Sequence, residues 1–251
     1  MTSVSRGRRS STSKPAGGVY AEMVRTFERL VDEPNVLLVE LAASGLLGMW
    51  WDAPLPGIDP DTMIGGQFVE YARESPSLPA LAALRAVQAI GVGENLRARA
   101  GEAADELADS GLEEPIWRDG IGHPTPTTCW QYRDGHHQNG IVLAEFEQQE
   151  KSHALVVFLE PLGKTGRATD ISMTGDSAVL VRELRKKAMA GAGVHTLDHL
   201  APAAAATLIM QALRRTDALD DPAVDKQYGQ LRALAYARCR SLTDPISHVK
   251  S

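Results

Sequence analysis

Thiols are scarce in this chain of 251 residues: it holds Cys129 and Cys239 and no C-x-x-C pair. That excludes a disulfide framework and a thiolate metal site, and it suits a reducing cytoplasm. Aromatic residues make up only 5%, so a place that concentrates them stands out. No apolar run is long enough to cross a bilayer. The longest, residues 36–51, is interrupted by Glu40 and falls short of the roughly 20 residues that a spanning helix needs. The first 14 residues lack acids and carry Arg6, Arg8, Arg9 and Lys14. With no apolar segment behind those charges, they read as a polar tail and not as an export signal.

Signatures of catalysis are missing as well. Gly163-Lys164-Thr165 follows an apolar run, but a phosphate loop needs a glycine five residues before its second one, and Phe158 stands there. The chain has no G-x-S-x-G elbow. His195-Thr196-Leu197-Asp198-His199 resembles a zinc-protease spacing, yet it lies between Ala190-Gly191-Ala192-Gly193 and Pro202, where a connection is expected and not a helix. His136 and His137 are adjacent, so on an extended chain they point to opposite sides. We expect no metal and no cofactor.

Charge narrows the partners. The whole chain carries −6; because its first 14 residues are +4, the remainder carries −10. A body that acidic repels phosphate backbones, which leaves nucleic acid at most a weak, salt-sensitive contact through the tail. Membrane binding has no support.

What is present is a hairpin inside a helical chain. Asp134-Gly135 and Asn139-Gly140 are turn dipeptides, and two apolar runs follow, residues 141–146 and 153–159, separated by a polar break at 147–152. The second run is apolar at nearly every position, as an inner strand covered on both faces should be. Residues 128–132 and 168–173 are further strand candidates. Before Pro115 and after Asp176 the spacing is helical: Leu81, Leu84, Val87 and Ile90 recur at one turn, as do Ala205, Leu208, Ile209 and Ala212. Asn35 is placed to cap a helix over residues 36–47, which Gly45 and Gly48 would then end. The expected architecture is α+β: N-terminal helices, a central antiparallel meander of three to four strands, and C-terminal helices. Residues 1–18 form a basic disordered tail, 19–111 a helical region, and 112–251 the sheet with its closing helices, continuous with 19–111 or separate from it.

Two constellations remain. Trp50 and Trp51, beside Met49 and the proline-rich stretch 54–57, are either a plug in the core or a partner-binding knob. The carboxylates Glu160 and Asp170 flank Lys164 and offer an alternative catalytic group, that of a hydrolase. Glu40 and Glu145, set among apolar neighbours, read as facing water. Cys239 falls within an apolar helical stripe and reads as a packed hydrophobe.

Several stretches resemble uncharacterised cytoplasmic proteins of high-GC bacteria: Leu81-Ala82-Ala83-Leu84-Arg85-Ala86, Glu114-Pro115-Ile116-Trp117, His153-Ala154-Leu155-Val156-Val157, Pro202-Ala203-Ala204-Ala205 with Ala212-Leu213, Thr216-Asp217, and Arg232-Ala233-Leu234-Ala235. The resemblance runs from Pro79 onward and implies no assigned activity. It carries over no catalytic residue, and Glu160-Pro161 stands where an Asp would be expected to end the strand. The expected function is therefore a non-catalytic interaction or regulatory protein of the bacterial cytoplasm. It would bind a protein partner through Trp50 and Trp51, with Arg6, Arg8 and Arg9 of the tail touching the partner or nucleic acid.

Overall fold

The structure, a computed structural model, describes residues 16–51, 60–135, 140–162, 165–191, 194–220 and 222–243. The tail arginines Arg6, Arg8 and Arg9, the pair His136 and His137, Lys164 and the stretch 54–57 lie outside them. The chain is α+β. Helices α1 (Ala16–Thr26), α2 (Val36–Trp51), α3 (Pro60–Glu74), α4 (Leu78–Ile90) and α5 (Glu94–Asp109) come first. Strands β1 (Thr125–Asp134), β2 (Gly140–Gln148), β3 (Lys151–Leu162) and β4 (Thr165–Thr174) follow as an antiparallel meander. Helix α6 (Ser177–Ala190), strand β5 (His195–Leu200) and helices α7 (Pro202–Asp217) and α8 (Lys226–Thr243) complete the chain. No helix among the described residues is long and apolar enough to cross a membrane.

The sheet order is β4-β3-β2-β1-β5. Strand β3 lies inside the sheet and is buried on both faces. Leu155 and Val157 join Val142, Phe146 and Ile171 under Ile209 and Leu213 of α7 and Tyr228 and Leu242 of α8. Ala154 and Val156 face the other way, with Leu143, toward Val181 of α6. The fifth strand departs from the sequence reading, which had residues 195–199 as a connection. They pair antiparallel with β1, from Cys129 opposite Leu200 to Asp134 opposite His195. The segment carries little apolar signal because it is an edge strand, and polar residues on an edge discourage pairing with other chains.

The connection between β2 and β3 is tighter than the polar break suggested. The strands run to Gln148 and Lys151, leaving Gln149 and Glu150 as a two-residue turn with φ of 49° and 61°. Both angles lie in the left-handed region that a type I′ hairpin requires, usually occupied by Asn or Gly. Gln149 has a second task here, since its Oε1 accepts the backbone N–H of Val36 at the start of α2 (3.4 Å).

Helix α2 also runs further than expected. It passes Gly45 and Gly48 and ends at Trp51. Gly48 is there for proximity: a Cβ on it would lie 2.3 Å from the carbonyl oxygen of Gly229 in α8. At Gly45 a Cβ would meet nothing within 4 Å. The two helices touch backbone to backbone at this crossing, and Ser44 Oγ accepts the N–H of Leu234 nearby (3.0 Å). Helix α8 thus serves both halves of the molecule. Ala233 and Ala237 belong to the core of the N-terminal helices, whereas Tyr228, Ala235 and Cys239 belong to the core under the sheet.

The two glycines make a paired prediction. Gly48→Ala forces α2 and α8 apart and should destabilise by about 1–3 kcal/mol, the usual range for overpacking. Gly45→Ala relieves the entropic cost of glycine within a helix and should stabilise by about 0.5–1 kcal/mol. Denaturant midpoints of the two variants check both signs; equal effects would contradict the close crossing.

Candidate functional site

The most unusual interior feature starts from Glu40. It lies on the face of α2 turned toward α8 and, contrary to the sequence reading, does not face water: it is fully buried. Its Oε2 accepts from Arg238 Nη2 of α8 (2.6 Å), and Arg238 is fully buried too. Its Oε1 accepts from the backbone N–H of Gly122 (2.8 Å) and from Gln148 Nε2 (3.1 Å). Gly122 adopts φ +76°, a conformation that glycine reaches without strain and that aims its N–H at the carboxylate. Gln148, at the end of β2, also donates to the carbonyl of Gly120 (3.1 Å) and accepts from Arg238 (3.3 Å).

His153, at the start of β3, completes the group. Arg238 Nε donates to its Nε2 (3.1 Å), which fixes the neutral tautomer with the proton on Nδ1. Its ring stacks on Phe146 at 5.7 Å, and the guanidinium of Arg238 lies 5.5 Å from the Phe146 centroid. Arg238 Nη1 and His153 Nδ1 have no hydrogen-bond partner among the described residues. The cation lying over the Phe146 ring offsets part of that loss. Burial pushes the His153 pKa down to about 4, and the Arg238 charge pushes the same way against the opposing pull of Glu40. This network joins α2, the 115–124 connection, β2, β3 and α8. Its hydrogen bonds run between these elements, which makes it a tie across the junction.

The other residues singled out in the sequence are dispersed. Trp50 is 2% exposed and packs on Phe68 of α3 at 5.7 Å, so it has no surface to offer a partner. Trp51 points the other way and is half-buried against Tyr228 at 5.1 Å, with Arg232 lying over it at 5.8 Å. Together they plug the two cores, while Met49 between those faces is 60% exposed. Glu160 pairs with Arg167 at 3.3 Å across the β3–β4 hairpin. Asp170 stands opposite Phe158 and accepts the N–H of Ile171 (2.7 Å); burial raises its pKa while that hydrogen bond lowers it. Neither carboxylate lines the cleft described below. Burial lifts the Cys129 thiol to about 11 and the Cys239 thiol to about 12, which keeps both protonated at neutral pH.

His195 and His199 sit four residues apart on β5, roughly 13 Å along an extended strand. That separation is too long for them to share one ion. His195 Nδ1 bonds instead to Tyr132 Oη (2.9 Å), and His199 packs on Trp130 at 3.9 Å. Among the described residues no group of three His, Cys, Asp or Glu could hold a metal ion.

A cleft of about 580 Å3 with room for a ligand lies where the helical half meets the sheet half. Its walls come from α4, α5, the 118–126 connection and the last turns of α8. Ala89, Ile121, Pro124 and Ala237 supply apolar surface, and four arginines supply charge. Arg85 is held by Glu114 and by Asp105 (2.7 Å). Arg118 shares Glu114 at 3.9 Å. Arg97 donates to the carbonyls of Gly91 (3.1 Å) and Val92 (2.8 Å), and Arg240 donates to the carbonyl of Ala89 (3.0 Å). Neither Arg97 nor Arg240 has a carboxylate partner among the described residues. Burial, helped by the like charge of Arg97, pushes Arg240 down to about 10, which still leaves it charged at neutral pH. Sequence reading missed this cleft because its arginines come from segments distant in the chain and form no local motif.

Fold and site together define an α+β protein with an arginine-bearing cleft between two packed cores. No family model matches the chain, and no curated protein or solved structure matches it either.

The His153 environment predicts a pH dependence. In the unfolded chain histidine takes up its proton near pH 6.5, whereas in the folded protein His153 takes it up only near pH 4. The unfolded state therefore binds more protons between those values, and stability falls as the pH drops from about 6.5 to 4, by on the order of 2 kcal/mol. His153→Gln keeps an acceptor for Arg238 and removes the titration. Thermal midpoints from pH 7 to pH 4.5 should fall more steeply in the wild type than in this variant.

Proposed function

We propose that this chain is a non-catalytic interaction or regulatory module that acts by binding, and that the cleft between its two halves is where it binds. The observation that carries the reading is the pair Arg97 and Arg240, two guanidinium groups facing a cleft with carbonyl oxygens as their protein partners. Desolvating a cation without a carboxylate is unfavourable unless something else answers the charge. Two such groups in one cleft are most simply understood as contacts for a partner. The volume falls within the range of ligand-binding clefts, and apolar walls with a few polar groups are what such sites present.

The position suggests how binding is relayed. Arg97 belongs to the helical half, and Arg240 lies on α8, which both cores share. A ligand bridging them adds contacts across the junction and stabilises the joined form by mass action. A protein partner that reads the surface near α8 would then respond to occupancy.

Capture from an extract of the native host, with bound molecules identified by mass spectrometry, tests the reading. Wild type and the distant control Glu160→Gln should retain the same specific protein partner, and Arg240→Gln should lose most of it while its thermal midpoint stays within a few degrees. Equal retention by all three would overturn the assignment of the cleft.

A further inference from the structure

Resting on the binding reading above, we propose that the cleft takes a small dianion with an apolar body, a phosphate monoester or a dicarboxylate, whose two charges meet Arg97 and Arg240. The charges around the cleft lead to this class. Arg85 and Arg118 face Glu114 and Asp105, so these four groups cancel. Arg97 and Arg240 remain, a +2 that no carboxylate pairs with among the described residues. A guanidinium has five N–H donors in a planar fork suited to carboxylate and phosphate oxygens. Arg97 directs Nη1 at two carbonyls and Arg240 directs Nη2 at one, so each keeps N–H groups for an anion.

Both the size and the lining argue for a small molecule. A cleft of about 580 Å3 accommodates a body of a few rings, not a bare ion. Ala89, Ile121 and Ala237 give that body an apolar wall. The −10 carried by the chain beyond its basic tail repels long polyanions, whereas the field inside a cleft is set by the nearest charges. A dianion also answers both the burial of Arg240 and its repulsion by Arg97, which in that order lower its proton affinity.

Direct titration of the full chain tests this, with phenyl phosphate and phthalate as dianionic probes, inorganic phosphate as the dianion without a body, and benzyl alcohol as the body without charge. The expected result is saturable binding of at least one of the two organic dianions at one per chain. Inorganic phosphate should bind several-fold more weakly and benzyl alcohol not at all. Which organic dianion binds distinguishes the phosphate from the dicarboxylate source. Arg97→Gln and Arg240→Gln should each weaken binding by about tenfold or more. His123→Glu, at an exposed position of the rim that forms none of the internal hydrogen bonds described, should weaken it several-fold while leaving the fold intact. No saturable binding of either organic dianion by wild type, or unchanged affinity in all three variants, would overturn the proposal. If the probes fail while partner capture still depends on Arg240, the ligand class is wrong and the binding reading stands; if both fail, both are wrong.

Discussion

One buried ion pair holds the two halves of this molecule in register. Glu40 and Arg238 come from opposite ends of the chain, and neither has any contact with water. Placing two charges in an interior is unfavourable unless each is met by its opposite and by further hydrogen bonds. Here the carboxylate accepts from Arg238, Gln148 and Gly122, and the guanidinium reaches Glu40, Gln148 and His153. These partners sit on a helix of the first half, the connection, two strands and the last helix. Any shift of one element against another leaves a charge unpaired in a medium of low dielectric. The pair therefore acts as a geometric constraint more than as a source of net stability.

The cleft follows from that constraint. Helix α8 lies on α2 at the Gly48–Gly229 crossing, and on either side of Arg238 it delivers Ala237 and Arg240 to the cleft wall. The connection that donates Gly122 to Glu40 also supplies Ile121 and His123 to the cleft. Tie and cleft share two of their segments, so the position of Arg240 relative to Arg97 depends on the buried network. A binding site built at such a junction senses, and is sensed by, the packing of both halves.

Much of the architecture was legible from local patterns. The apolar run of β3 and the one-turn recurrence of Leu81, Leu84, Val87 and Ile90 in α4 are set by neighbours a few residues away. What escaped was decided at long range. Gly45 and Gly48 read as helix terminators because nothing local shows that a second helix needs to approach one of them. Strand β5 is polar because it is an edge, and periodicity weakens there. Glu40 amid apolar residues looks like a solvated carboxylate until Arg238, far along the chain, is brought against it. The same holds for Arg97 and Arg240, each an ordinary helical arginine in sequence. The tryptophan pair was visible as a cluster, but its two rings were separated only by the packing that sends Trp50 toward Phe68 and Trp51 toward Tyr228.

The central claim is that Glu40 and Arg238 are coupled and together join the halves. A double-mutant cycle in equilibrium unfolding, with Glu40→Leu, Arg238→Met and the two combined, measures this directly. The account predicts that each single change destabilises by about 3–5 kcal/mol, since it strands a buried charge, and that the double change loses far less than the sum. In the singles, with Trp51 and Trp130 replaced by Phe in all four proteins so that Trp50 and Trp117 of the helical half are the tryptophans that report, fluorescence and far-ultraviolet circular dichroism of the whole chain should no longer give coincident transitions. Additive losses with coincident transitions throughout would contradict it.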